Sequence, residues 1–264
     1  MRVVRFRERN GEGYRLEAGY GLLEGNRVRA VEGDLFGRYS LTGRYYPVEE
    51  VKLLAPCSPS KVVCVGLNYS DHAAEWNLPV PEEPILFLKP ATAVVGPGEP
   101  VVLPSSSRRV DFEAELVVVV GRVARRVRRE EALDYVFGYT LGNDVTARDF
   151  QKKDGQWTRA KSFDTFCPLG PWVETGVDAS DLAIEFYLNG ERKQASRTSN
   201  LIFPVDYLVS FISRVMTLLP GDVILTGTPA GVGSIHPGDE MEVRIEGIGS
   251  LRNPVVSDED EEEY

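Results

Sequence analysis

Cysteine, histidine and long apolar runs are what this chain has least of. Its three cysteines, Cys57, Cys64 and Cys167, are odd in number, widely spaced and free of any Cys-x-x-Cys pair. That argues against both a disulfide framework and a zinc knuckle, and favours reduced thiols in a cytoplasmic setting. The two histidines, His72 and His236, form no closely spaced pair that would favour zinc. The N-terminus, Met-Arg-Val-Val-Arg-Phe-Arg-Glu-Arg, is too charged for a signal peptide, and no apolar run approaches membrane-spanning length. A basic stripe interleaved with aromatics is also missing, so no nucleic-acid partner is expected. Arg125, Arg126, Arg128 and Arg129 cluster, but a solvated turn or helix start explains them.

What is present suits a globular protein: 264 residues, 42% of them hydrophobic, allow one sizeable domain with an appendage or two small ones. The formal charge is −10. Acids run without interruption from Asp258 to Glu263, so much of that imbalance belongs to a C-terminal tail at 257–264 that is expected to be solvated and disordered. Residues 1–56 alternate apolar and polar in short pieces with glycine punctuation, the pattern of a small β-rich N-terminal domain. Pro56 and Pro59 break that pattern before the buried-looking strand at Lys61-Val-Val-Cys-Val-Gly66, so a second domain is placed at 57–256. Strand signals recur at 85–88, 101–103, 113–120, 184–188, 223–226 and 240–246. Helical spacing is confined to about 70–76, 130–136 and 204–217. Strands outnumber helices and do not alternate with them, which predicts a mainly β or α+β fold and not a doubly wound sheet.

The chemistry starts at Asp111, Glu113 and Glu115, three carboxylates at alternate positions ahead of an apolar run. In a strand such residues share a face, which concentrates negative charge unless a cation or protons compensate it. Asp144 lies about thirty residues later and can return a further carboxylate to the same place. Three carboxylate oxygens suit Mg²⁺ or Mn²⁺, while surface ion pairs with nearby arginines are the competing explanation. Asp111, at the strand entrance, is read as a local cap or ion pair and left out of the metal shell. His72 and Glu75 fall three apart on a short helix, so a carboxylate can orient an imidazole for proton transfer, although such a pair is also an ordinary surface feature. Arg148, Gln151 and Lys161 follow closely on Asp144 and offer donors to an oxyanion or a substrate carboxylate. The Gly-rich stretch Thr226-Gly-Thr-Pro-Ala-Gly-Val-Gly233 lacks the ending of a nucleotide P-loop; its amides and the Thr228 hydroxyl suit a carboxylate, and a plain turn is the equally simple reading.

Six segments in consistent order resemble the fumarylacetoacetate hydrolase family over about 60–256. They are Gly66-Leu-Asn-Tyr-Ser-Asp-His72-Ala-Ala-Glu75, Phe87-Leu-Lys-Pro90, Phe112-Glu-Ala-Glu-Leu116, Asn143-Asp-Val-Thr-Ala-Arg-Asp-Phe-Gln151, Ala160-Lys-Ser-Phe163 and the Gly-rich stretch above. The resemblance implies a mixed β-sandwich or β-roll catalytic domain, usually homodimeric, with Mg²⁺, Mn²⁺ or Ca²⁺ held by Glu113, Glu115 and Asp144. It implies His72 and Glu75 as a proton-transfer dyad, often on a segment that orders on binding. Lys161 is implied as a catalytic contact, and Arg148, Gln151 and Thr228 as substrate contacts. The implied substrate is a 2-oxo or 2-hydroxy-enol dicarboxylic acid reacting through an enolate stabilised at the metal. The expected reaction is 2-hydroxyhepta-2,4-diene-1,7-dioate isomerisation, with decarboxylation as a possible companion, in aromatic catabolism. Acylpyruvate or fumarylpyruvate C–C hydrolysis and oxaloacetate decarboxylation are the alternatives, and a non-catalytic module that binds a small acid is the alternative of another class.

Overall fold

The computed structural model of the chain describes residues 1–11, 13–75 and 79–259. Residues 260–264 of the expected tail and residue 76 of the expected first helix lie outside the described residues. The fold is mostly β with few helices, in the multi-sheet arrangement that the strand signals imply. A large sheet runs, from one edge, through Tyr39–Pro47, Arg27–Gly33, Gly19–Glu24, Arg2–Asn10, Cys167–Glu174, Val136–Asn143, Ala114–Val120, Val223–Leu225, Val62–Gly66 and Ile85–Lys89. The N-terminal strands therefore continue the same sheet as the site-bearing ones, through the antiparallel pairing of Arg2 with Glu174 and Val3 with Val173.

Ala114–Val120 is the spine of this sheet and is buried at every position. It lies between two antiparallel partners, Val136–Asn143 and Val223–Leu225, which pair both of its edges, and apolar clusters cover both of its faces. That explains its unbroken apolar run in place of an alternating pattern. Leu116, Val118 and Val120 face one apolar cluster, while Val117 and Val119 face another that contains Cys64 and Cys167. Against the first face packs a five-stranded sheet that includes Ala183–Leu188 and Glu240–Ile245. Phe112 and Phe186 stack between the layers with ring centroids 3.8 Å apart.

The expected strand at 113–120 is present as Ala114–Val120, and it is the run of alternating acids from Asp111 to Glu115 that spans two sheets. Val110–Phe112 belongs to a small three-stranded sheet and Ala114–Val120 to the large one, leaving Glu113 at the crossing between them. The helical signal at 130–136 is a 3-10 segment, Arg129–Tyr135, and the one at 204–217 is the α-helix Val205–Val215. Two short helices beside the site, Arg148–Asp154 and Thr158–Lys161, carry no pattern that marks them in advance. No helix among the described residues is long and apolar enough to cross a membrane. All three cysteines are free and buried, and burial pushes the Cys57 and Cys167 thiols up to about 12. That removes thiolate chemistry near neutral pH.

Asp222 ties together the starts of the two parallel strands Val62–Gly66 and Val223–Leu225. Its fully buried carboxylate accepts from the Ser60 amide at 2.9 Å and hydroxyl at 2.6 Å, the Lys61 amide at 3.2 Å, the Leu219 amide at 2.8 Å and the Lys61 ammonium. Burial works to raise this carboxyl, but the donors from Lys61 and Ser60 outweigh it and hold it below the usual range. A depressed folded-state value means stabilisation that is present above the unfolded value and lost as pH falls through the folded one. Asp222→Asn is accordingly expected to cost about 2 kcal/mol at neutral pH. The difference from wild type should shrink on acidification, which urea midpoints at about pH 7 and about pH 3 would check.

Candidate metal centre and active-site cavity

The register of the spine strand explains how residues far apart in sequence meet. Ala114 pairs with Asn143, which places Glu113 and Asp144 side by side just past the end of the ladder. Two hydrogen bonds lock the crossing: the Glu113 amide donates to Asn143 Oδ1 at 2.8 Å, and the Asp144 amide donates to the Glu113 carbonyl at 2.9 Å. Glu115, one pleat further along, turns toward the Gly-rich loop, and the Gly227 amide donates to its Oε2 at 2.6 Å. Gly227 has φ +107°, and an added Cβ there would meet the Asn68 side chain at 2.8 Å. Only glycine brings its N–H this close without displacing the neighbouring loop. Asn68 fixes that loop in turn, donating to the Thr226 carbonyl at 2.7 Å and the Phe203 carbonyl at 3.1 Å while accepting from the Phe203 amide at 2.8 Å.

Glu113, Glu115 and Asp144 are all buried, and one ligand oxygen from each lies within 4.8 Å of the others. Lys161 is inserted beside them, donating to Glu113 Oε2 at 2.9 Å and Asp144 Oδ2 at 2.5 Å. Burial works against the Lys161 charge, yet the Asp144 and Glu113 carboxylates outweigh it and raise its pKa. Burial likewise opposes ionisation of Glu113, but Lys161 and Arg148 hold that carboxyl below its usual range. Glu115 has no such cation: burial pushes it well above the usual range, and repulsion from Asp144 and Glu113 adds to the shift.

Asp144 Oδ1 completes the test of whether a cation suits this place. Lys89 Nζ lies 2.7 Å away, but its three protons go to the carbonyls of Val145, Lys161 and Phe166 at 3.0, 2.7 and 2.8 Å. The oxygen therefore receives charge from Lys89 without a proton, and it accepts no hydrogen bond. A buried carboxylate oxygen with no donor is costly. Three clustered carboxylates of hard-oxygen chemistry, one carrying an orphaned acceptor and one whose ionisation is suppressed, form a donor set that fits Mg²⁺, Mn²⁺ or Ca²⁺. The carboxylate oxygens that already accept from Lys161 or Arg148 keep further lone-pair directions for coordination.

The trio forms part of the lining of a cavity of about 340 Å³, together with His72, Arg148, Gln151, Lys161 and Thr228. Of the residues to which the sequence gives a catalytic, substrate-binding or metal-ligand role, Glu75 alone is not in the lining; it stands behind His72, 3.2 Å from Nδ1. Both its oxygens also face the Gly231 amide, at 3.3 and 3.4 Å. Arg148 is heavily committed to protein: Nε donates to Asp111 at 2.9 Å, Nη1 to Gln151 Oε1 at 2.7 Å and Nη2 to Glu113 Oε1 at 2.5 Å. A guanidinium only donates, so the Gln151 oxygen must face it and the Gln151 amide nitrogen is left as a donor for the cavity. Asp111 is buried in an arginine pair with Arg109 and Arg148. Thr228 Oγ1 accepts from Gln194 Nε2 at 2.9 Å, which frees the hydroxyl proton to point elsewhere.

Lys89, Phe87 and Trp157 belong to this site although no local pattern in the sequence assigns them a role. The Trp157 ring packs edge-on against Phe87 with centroids 5.1 Å apart, and a Cβ added at Gly66 would meet the Trp157 ring at 2.6 Å. Lys161 sits 4.9 Å from the centre of the Phe87 ring. The signal that pointed this way was the inclusion of Phe87 and Lys89 in one of the ordered segments.

Comparison with known proteins agrees with this geometry. Residues 61–256 match the family model described as fumarylacetoacetate (FAA) hydrolase C-terminal, and residues 1–56 match one described as Rv2993c-like, N-terminal. Protein Rv2993c of Mycobacterium tuberculosis is 52% identical over 87% of this chain and 88% of its own length. The Xenopus laevis protein named oxaloacetate tautomerase fahd2, mitochondrial, is 46% identical over 78% of this chain and 69% of its own length. Among solved structures, 2-hydroxyhepta-2,4-diene-1,7-dioate isomerase from Mycobacterium marinum superimposes with a TM-score of 0.88 at 49% identity, covering 98% of this chain and 99% of that one. With residues 61–256 matched by that family model and its fold superimposing on a solved relative, the chain belongs to the fumarylacetoacetate hydrolase family and is one of its enzymes.

Proposed function

We propose that the chain is a divalent-metal-dependent enzyme that relocates a proton along 2-oxo and 2-hydroxy-enol dicarboxylic acids by way of an enolate. Isomerisation of 2-hydroxyhepta-2,4-diene-1,7-dioate is the reaction the site supports best. The observation that carries this reading is the buried trio Glu113, Glu115 and Asp144, with its orphaned Asp144 oxygen, opening on a cavity that also holds His72 and Lys161. A divalent cation held by those three carboxylates would supply Lewis acidity that lowers the free energy of an enolate. The remaining work falls to the chain. Lys161 uses two of its protons on Glu113 and Asp144 and keeps the third for a substrate oxygen. The Gln151 amide nitrogen and the Thr228 hydroxyl donate to a carboxylate, with no reorganisation needed at the moment of reaction. His72, oriented by Glu75, carries the proton between the enol hydroxyl and the far carbon of the conjugated chain. Val65, Phe87 and Trp157 keep that side of the cavity apolar.

The Xenopus relative named as an oxaloacetate tautomerase favours a second reading, in which the same transfer between oxygen and carbon interconverts the enol and keto forms of a four-carbon acid. Turnover of the dienedioate and of oxaloacetate, measured side by side with Mg²⁺, separates the two. Under either reading, chelation with EDTA should reduce turnover by more than about 10²-fold and added Mg²⁺ should restore it. Asp144→Asn should abolish that restoration. Full activity after EDTA treatment would sink the metal mechanism. His72→Asn is expected to lower kcat by about 10²–10⁴-fold while leaving Mg²⁺ affinity unchanged. It should also stop deuterium from solvent reaching the substrate carbon, and a variant with native kcat would remove His72 from the proton path.

A further inference from the structure

Charge accounting inside the cavity leaves one cation over. Lys161 and Arg148 are committed to Glu113, Asp144 and Asp111, so neither offers a full charge to a second carboxylate on a ligand. Lys152, the residue after Gln151 in the helix Arg148–Asp154, lines the same cavity and is exposed. Its ammonium makes no hydrogen bond or ion pair to the described residues. The three acids are buried at the inner end, which puts Lys152 at the rim. Much of the remaining lining is apolar: Val65, Leu67, Phe87, Trp157 and Val232. Trp157 is seated on the bare backbone of Gly66, where a Cβ would meet its ring at 2.6 Å, so the residue at 66 sets the position of this apolar wall.

A cavity with a polyanionic metal-type base, apolar sides and one unpaired cation at its rim fits a ligand with the same polarity sequence. We infer that Lys152 anchors the distal carboxylate of a 2-oxo or 2-enol diacid, across the apolar stretch of the cavity from the three acids. The inference rests on the reading above, in which the oxo-acid end lies at Glu113, Glu115 and Asp144. A four-carbon diacid keeps both carboxylates near that inner end and leaves Lys152 without a ligand, so the residue selects for chain length. An ion pair at an exposed rim is worth up to about 1 kcal/mol, which corresponds to about fivefold in affinity.

Calorimetric titration of the Mg²⁺-loaded protein with 2-oxoheptanedioate and with 2-oxoheptanoate tests this without requiring turnover, since the two acids differ only at the distal carboxylate. The wild-type chain should bind the diacid about fivefold more tightly, and the preference should weaken with added salt. Lys152→Met should erase the preference while leaving affinity for the monoacid unchanged, which also reports that the variant is folded. Lys152→Arg should keep it. Equal binding of the two acids by wild type, or a preference that survives Lys152→Met, overturns the distal anchor alone. Binding of neither acid by wild type overturns the oxo-acid reading along with it.

Discussion

Three carboxylates confined within 4.8 Å of one another in the interior are the constraint on which the site is built. Like charges at that spacing repel strongly where water is excluded, and left alone such a cluster would protonate or unfold its surroundings. The protein distributes the compensation unevenly. Glu113 receives two cations, Asp144 receives Lys161 with Lys89 alongside, and Glu115 receives a backbone amide. The cluster is thereby left with a carboxyl at Glu115 whose ionisation is disfavoured and with an Asp144 Oδ1 that accepts no hydrogen bond. A site compensated in full by its own lysines would have little reason to take up a metal.

The compensating cations are themselves placed by a second layer. Lys89 is fixed by three carbonyls, and Arg148 by Asp111, which in turn pairs with Arg109. Asp111 shares the sequence alternation of Glu113 and Glu115, yet its carboxylate serves the arginine that serves Glu113. The chain changes sheets at Glu113, so three evenly spaced acids acquire separate surroundings.

Much of the site's chemistry was legible in the sequence because residue type carries it: alternating acids before an apolar run, and a histidine and glutamate one helical turn apart. The β-rich class was equally legible from short strands that do not alternate with helices. The rest depends on contacts that no local pattern encodes. Lys89 looks like an ordinary strand residue, since its acceptors lie 56, 72 and 77 residues away. The helices Arg148–Asp154 and Thr158–Lys161 contain seven and four residues. They are too short for helical periodicity or cooperative propagation to mark them, and tertiary contacts through buried Phe150, Ala160 and Lys161 hold them. The packing of Trp157 on Gly66 is invisible for the same reason, because a glycine written alone does not say whether it turns the chain or makes room for a ring.

The Gly227 amide that caps Glu115 belongs to a segment 112 residues further along the chain. During synthesis from the N-terminus, all three acids leave the ribosome well before the segment that steadies one of them. Any intermediate that lacks it carries a partly assembled charged cluster and offers the spine strand without its partner Val223–Leu225. An uncovered apolar strand edge is a hazard for association with other chains. The surroundings of the three carboxylates are thus completed only together with the large sheet, and a chain truncated before that loop would leave the edge of the spine strand uncovered.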